Sequence, residues 1–190
     1  MVRIAIFASG NGTNAENLIR HFGQKQGVAS ISVYTNNPNA FVIERARKHG
    51  IETKLISKKE FYEGQTLIGL QSSSIDFILL AGFLWLIPAS IVQHFKNRMI
   101  NIHPSLLPKY GGKGMYGKHV HEAVLANGES HSGITIHLVD EEFDRGEILF
   151  QHAVQLLPGE TVETLEKKIH QLEKKFFPGV VEEYIASYRS

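Results

Sequence analysis

Over its first hundred residues the chain alternates short apolar runs of strand character with stretches of helical periodicity, and this alternation restricts the fold more than any other feature. Residues 3–8, 30–35, 53–56, 77–80 and 99–102 read as strands, and residues 14–22, 40–49 and 60–70 as helices. Strand–helix–strand repeats require a crossover between parallel strands. They predict an α/β fold, a Rossmann-like, mostly parallel sheet flanked by helices. The second half changes character. Residues 132–139 and 147–156 are longer β-rich runs separated by an acidic turn, 140–146, which predicts an antiparallel extension of the same sheet. From Thr161 onward, Leu165, Ile169, Leu172 and Phe176 recur at spacings of three and four, the pattern of an amphipathic closing helix. Thr161 and Thr164 offer its N-cap, and Pro178-Gly179 is expected to kink or interrupt it.

The composition fits one domain over residues 1–190, since 43% of the chain is hydrophobic and no repeat or low-complexity linker divides it. Within that domain, 1–100 forms a βαβ half suited to phosphate and 101–190 carries the remaining chemistry. The formal net charge is +1, with basic and acidic residues interspersed, so there is no electrostatic footprint for nucleic acid or an anionic membrane. The longest apolar stretch, 77–88, is too short to span a bilayer. The opening MVRIAIFASGNG lacks a cleavage pattern and runs into a Gly-rich turn, as a strand would. Cysteine is absent, so disulfides and thiolate metal sites play no part. The expectation is a cytoplasmic protein acting on small molecules, monomer or homodimer, with neither nucleic acid nor membrane as partner.

Two regions carry candidate chemistry. The first strand runs into Ser9-Gly10-Asn11-Gly12-Thr13-Asn14-Ala15 and then a helix. Glycines permit close backbone approach, and a helix start presents N–H groups and a positive dipole end, so an anion fits there. A phosphate monoester is the natural candidate, with a plain βα turn as the bland alternative. A dinucleotide would call for an acid at the end of the second strand, where the chain has Tyr34-Thr35-Asn36-Asn37-Pro38. The second region is NIHPSLLPKY at 101–110. If Met99-Ile100 opens a strand, Asn101 and His103 leave it on one face, and Pro104 places them at the strand end. Ten histidines also allow a metal-dependent hydrolase built on His103, His119, His121, His137 and the acids of 140–144, although no zincin spacing occurs and His119 and His121 share a face only if extended.

NIHPSLLPKY together with HLVDEEFDRG at 137–146 resembles the formyltransferases that use 10-formyltetrahydrofolate, and the resemblance runs from residue 1 to the closing helix. It implies that Asn101, His103 and Asp144 are catalytic. Amine attack on a formyl carbon gives a tetrahedral intermediate with a negative oxygen, which an asparagine N–H and an imidazolium N–H would stabilise while Asp144 relays protons. Asp144 is expected to raise the His103 pKa, and no metal is required. The resemblance further implies that Gly12, Thr13 and Asn14 hold a substrate phosphate and Glu173 the ribose hydroxyls. Leu84, Trp85, Leu86 and Ile87, with Asn101 and Asp140, would receive the folate, and 101–190 is expected to be the catalytic and folate-binding half. Trp85 stands where familiar members have a basic residue, and the Gly-rich loop 110–118 is longer than usual and expected to be mobile. At this length the additional tRNA-binding or regulatory domains of some relatives are not expected. The implied reaction formylates glycinamide ribonucleotide in de novo purine synthesis, with a sugar-nucleotide N-formyltransferase, a formyltetrahydrofolate hydrolase and a non-catalytic binding protein as alternatives.

Overall fold

The computed structural model describes residues 1–188. Met1–Ile100 forms one compact unit, and the chain from Asn101 on forms a second.

In the first unit, strands β1 (Val2–Phe7), β2 (Val28–Thr35), β3 (Thr53–Leu55) and β4 (Phe77–Leu80) pair in parallel, β1 with both β2 and β4, and β2 with β3. β4 is wholly buried and β1 is buried at every position but Arg3, which explains the apolar runs FILL and IAIF: a parallel strand covered on both faces needs no polar alternation. The helices are α1 (Thr13–Phe22), α2 (Val42–Lys48), α3 (Lys58–Tyr62), α4 (Gln65–Ser72) and α5 (Ala89–His94). The single helix expected over 60–70 is two, because Gly64, at φ 95°, leaves the right-handed region between them. α3 opens instead at Ser57, whose hydroxyl accepts the Glu60 N–H while the Glu60 carboxylate accepts the Ser57 N–H. α5, six residues long, is too short to show a helical period and was not expected.

β5 (Met99–His103) crosses into the second unit, where β6 (His131–Leu138) and β7 (Ile148–Gln155) form an antiparallel hairpin. The strands hydrogen-bond in the order β3-β2-β1-β4-β5-β6-β7, the mostly parallel sheet with an antiparallel end that the alternation predicts. One element here was not foreseen, and one expectation fails. Residues after the Gly-rich loop form a helix, α6 (Lys118–Ala126), burying Val120, His121 and Val124; His119 and His121 are therefore not in an extended segment. The closing helix α7 (Val162–Tyr188) continues through Pro178 without interruption. A proline inside a helix costs about 3 kcal/mol. Leu165, Ile169, Phe177, Val181 and Ile185 are all buried, each contributing roughly 1.5–3 kcal/mol, so the packed stripe outweighs the lost backbone bond. That stripe runs through Glu173 and Phe177, not through Leu172 and Phe176, which are only half-buried. The N-cap is as expected: Thr161 Oγ1 accepts the Thr164 N–H at 3.3 Å.

Candidate active site

β5 delivers Asn101 and His103 from alternate positions, so both side chains leave on one face and meet at one carboxylate oxygen. Asp144 Oδ1 accepts from Asn101 Nδ2 at 3.3 Å and lies 3.5 Å from His103 Nδ1. Its other oxygen accepts the Gly112 N–H at 3.0 Å, which gives the Gly-rich loop a definite task. The turn that presents Asp144 is set by its ends. Asp140 Oδ1 accepts the Glu142 N–H at 2.9 Å, and Asp144 sits at φ 56°. At Gly146 a Cβ would fall 1.8 Å from the Leu138 carbonyl oxygen, so only glycine closes the turn.

His137, on β6, completes the cluster. Its Nδ1 donates to the Leu138 carbonyl at 2.7 Å, which leaves a lone pair on Nε2 to accept the second Asn101 amide hydrogen at 3.0 Å. Both Asn101 N–H groups are thus engaged. His103 is similarly fixed: its Nε2 donates to the Tyr110 carbonyl at 2.7 Å, so Nδ1 is the nitrogen left to exchange a proton. The expected upward pKa shift of His103 is overturned. Burial, at 4% exposure, drives it below the usual imidazole range, and the charge of Asp144 and the Tyr110 carbonyl only partly offset this. For Asp144, burial acts upward but is outweighed by the His137 ring, the His103 charge and the Gly112 amide, so its carboxyl is held below the ordinary range. The resting pair is a neutral imidazole beside a carboxylate.

Glu173, on α7, is buried and accepts from His170 Nδ1 at 2.9 Å. That bond holds the His170 imidazole above its usual value against the effect of burial. Glu173 also acts electrostatically on His103 and His121, which places its charge near the Asn101–His103–Asp144 cluster. Among the described residues, no three histidine or carboxylate side chains are grouped to hold a metal ion.

In the first unit, the loop after β1 enters α1 through Gly12, at φ 76°, where a Cβ would lie 2.5 Å from Val42 Cβ. Thr13 and Asn14 open the helix, at the end where its dipole is positive. Arg45, which no local pattern links to this loop, donates from Nε to the Asn11 carbonyl at 2.8 Å and from Nη2 to Asn11 Oδ1 at 3.0 Å, and its Nη1 pairs with Glu16. Where a dinucleotide site would place an acid, Asn37 Nδ2 donates to the Ser9 carbonyl at 3.3 Å.

The apolar segment 81–87 follows β4. Leu84 and Leu86 are 47% and 39% exposed, Ile87 is buried, and Trp85 is enclosed by Phe61, Tyr62 and Phe83 at ring-centroid distances of 5.6, 6.3 and 6.0 Å. Tyr62 Oη donates to the Leu86 carbonyl at 3.2 Å, and the Leu84 N–H donates to Ser9 Oγ at 3.0 Å. Ser9 therefore ties this segment to the loop after β1, both at carboxyl ends of strands, where α/β sheets bind ligands.

A convergent asparagine, histidine and aspartate on an α/β sheet fits acyl-group transfer, and a family profile described as Formyl transferase matches residues 2–181. The chain belongs to the formyl transferase family. More particularly, it is 35% identical over 191 residues to the phosphoribosylglycinamide formyltransferase of Bacillus subtilis (strain 168), covering 97% of this chain and 95% of that protein. It is 40% identical over 188 residues to the chloroplastic phosphoribosylglycinamide formyltransferase of Arabidopsis thaliana, covering 94% of this chain and 64% of the plant protein. This chain thus spans a little under two thirds of that relative's length. The crystal structure of phosphoribosylglycinamide formyltransferase from Bacillus halodurans superposes with a TM-score of 0.86 at 35% identity, covering 95% of this chain and 94% of that one.

Proposed function

We propose that this protein transfers the formyl group of 10-formyltetrahydrofolate to the amine of glycinamide ribonucleotide, a step of purine synthesis. The observation that carries this reading is the meeting of Asn101 and His103 at a single oxygen of Asp144. The folate supplies a formyl group on nitrogen, ready for attack by an amine. Leu84 and Leu86 offer exposed apolar surface to a flat ring, and the Leu86 carbonyl is held in place by Tyr62. Gly12, Thr13 and Asn14 take the substrate phosphate, with Arg45 holding the loop, and Glu173 accepts from the ribose hydroxyls. Asp140 and Trp85 shape the folate side, Trp85 from within its aromatic cluster.

The neutral His103 takes the proton that the amine loses on forming the new C–N bond. Asp144 stabilises the imidazolium so formed, and the same proton passes to the folate nitrogen as the old C–N bond breaks. Asn101 supports the formyl oxygen as it becomes negative. Of its two hydrogens, the one at 3.3 Å from Asp144 is the more weakly held and the one that oxygen competes for. Removing such a donor typically costs about 100- to 1,000-fold in rate.

The test is the absorbance change of the formylfolate with and without glycinamide ribonucleotide. Signal that depends strictly on the ribonucleotide is the expected result. Deformylation in its absence would make the protein a hydrolase, and silence in both cases would send the search to amino-sugar nucleotides.

A further inference from the structure

His103 is held by more than Asp144, and the second hold leads away from the reacting groups. Its Nε2 donates to the backbone carbonyl of Tyr110 at 2.7 Å. A carbonyl only accepts, so this contact selects the Nε2–H tautomer and leaves the Nδ1 lone pair on the side of Asp144. The tautomer therefore depends on where the Tyr110 carbonyl points, and Tyr110 is an unusual place to anchor it. Its φ is 58°, the left-handed region that a residue with a Cβ enters only when surrounding contacts hold it there.

The preceding backbone is fixed on its own account. Ser105 Oγ donates to the Lys109 carbonyl at 2.8 Å, and Thr135 Oγ1 donates to the Ser105 carbonyl at 2.7 Å. Those contacts stop at Lys109. Beyond it, the fixed point is the Tyr110 phenol, which donates to Glu129 Oε1 at 2.8 Å, while Lys109 Nζ reaches the same oxygen at 2.8 Å. Glu129 is brought there by the end of α6. Gly128, at φ 62°, turns the chain out of the helix, with its N–H on the Leu125 carbonyl at 3.0 Å and the Glu129 N–H on the Val124 carbonyl at 3.4 Å. The carboxylate side chain is 26% exposed, so it is neither a freely solvated surface acid nor a core residue.

From this geometry we infer that Glu129 is a positioning residue for the reaction: through the Tyr110 phenol it holds the Tyr110 carbonyl on His103 Nε2 and thereby keeps His103 in the tautomer that can take a proton at Nδ1. The inference rests on His103 as the proton-transferring group, and it adds a residue that neither touches substrate nor faces the reacting atoms. It also explains why a tyrosine tolerates a left-handed backbone here: the strain is the price of aiming one carbonyl. Without the carboxylate, Tyr110 relaxes and Nε2 loses its acceptor. The ring then divides between two tautomers, one of which carries its hydrogen on Nδ1 and is unable to accept there.

The test uses the full chain labelled with 15N-histidine, at mildly alkaline pH and without substrate, and identifies the His103 ring signals by their loss in His103→Gln. The charged and titratable groups facing that ring are Asp144, His137 on β6, Glu173 on α7 and His121 on α6, and all stay unchanged in the variants compared. In the unsubstituted protein, Nε2 should give the protonated and Nδ1 the unprotonated signal. Tyr110→Phe, which keeps the ring, and Glu129→Ala should both shift the two signals toward their average. In both variants kcat for formyl transfer should fall about 10- to 100-fold with KM for the ribonucleotide within about twofold, a part of the 10²- to 10⁴-fold typical of acid–base catalysis. Glu129→Gln retains an oxygen acceptor and should recover most of both signals. Unchanged ring signals in Tyr110→Phe and Glu129→Ala overturn the inference whatever the activity. Because the ring signals are read without substrate, a protein that proved to have another acceptor would still decide the matter.

Discussion

His137 and Asn101 share a hydrogen bond of 3.0 Å whose direction is fixed from behind, because the Leu138 carbonyl claims the hydrogen on the other His137 nitrogen. The amide of Asn101 is thereby oriented with its nitrogen toward Asp144 and not its oxygen. Asn101→Asp keeps the size but replaces the donor with a second carboxylate beside Asp144. It should lower kcat by about 100- to 1,000-fold and raise the pKa of the carboxylate pair, as like charges in contact do. Steady-state kinetics against pH on the substituted enzyme checks both.

His103→Ala and Asp144→Ala should each lower kcat by roughly 10²- to 10⁴-fold while ribonucleotide affinity, read by calorimetry, stays nearly unchanged. Near-normal turnover in His103→Ala would remove the proton path proposed above.

The pH profile follows from the direction of the His103 shift. In the proposed mechanism the neutral ring is the working form, and burial holds its pKa low, so kcat should decline on the acid side only below the usual imidazole value of about 6.5. Asp144 opposes that downward shift; in Asp144→Asn the remaining activity should lose its acid limb to still lower pH. Stability has the same sign. His103 and His121 are both lowered by burial, so the unfolded chain binds more protons than the folded one between their folded and unfolded pKa values. Their contribution is full above about pH 6.5 and is lost as pH falls toward the folded values, which thermal melting across that window measures.

Arg45→Ala should raise KM for the phosphorylated substrate by about tenfold with little change in kcat, as expected when binding common to ground and transition states is lost. The guanidinium fixes the Asn11 carbonyl and side chain, and with them the shape of the loop that enters α1. The same substitution should have no effect on binding of the dephosphorylated nucleoside, and an equal loss for both ligands would deny the loop its phosphate.

Gly12→Ala meets two obstacles, a φ of 76° and Val42 Cβ at 2.5 Å. The first alone costs roughly 1–2 kcal/mol. Val42→Ala in the same chain removes only the Cγ2 contact and keeps Cβ at 2.5 Å and Cα at 2.8 Å, so the double variant should melt no higher than the single one and well below the unsubstituted protein.

What was legible in the chain was local. The period-two placement of Asn101 and His103 could be derived from the strand that carries them, and the glycine before α1 from the turn it must make. Asp144 reached the site only through the family resemblance, because the contacts joining residues 101 and 144 leave no local periodicity. Arg45, Tyr110 and Glu129 escaped notice for the same reason: each acts through a contact whose partner lies far along the chain or on the backbone. Short helices such as α5 and α6 offer too few turns to display a pattern. The protonation of His103 was misjudged because the charge of Asp144 is written in the sequence, whereas the burial that outweighs it is a property of the folded surroundings.

The closure of the 140–146 turn against the Leu138 carbonyl has a consequence for anyone redesigning the surface around Asp144. Glu141, Glu142 and Arg145 point to solvent and form a natural site for randomisation. The length of the segment and Gly146 do not. A library that adds or removes one residue there would misplace Asp144 in every member, whereas one that varies the three exposed positions at constant length would explore new side chains around an intact Asp144 carboxylate.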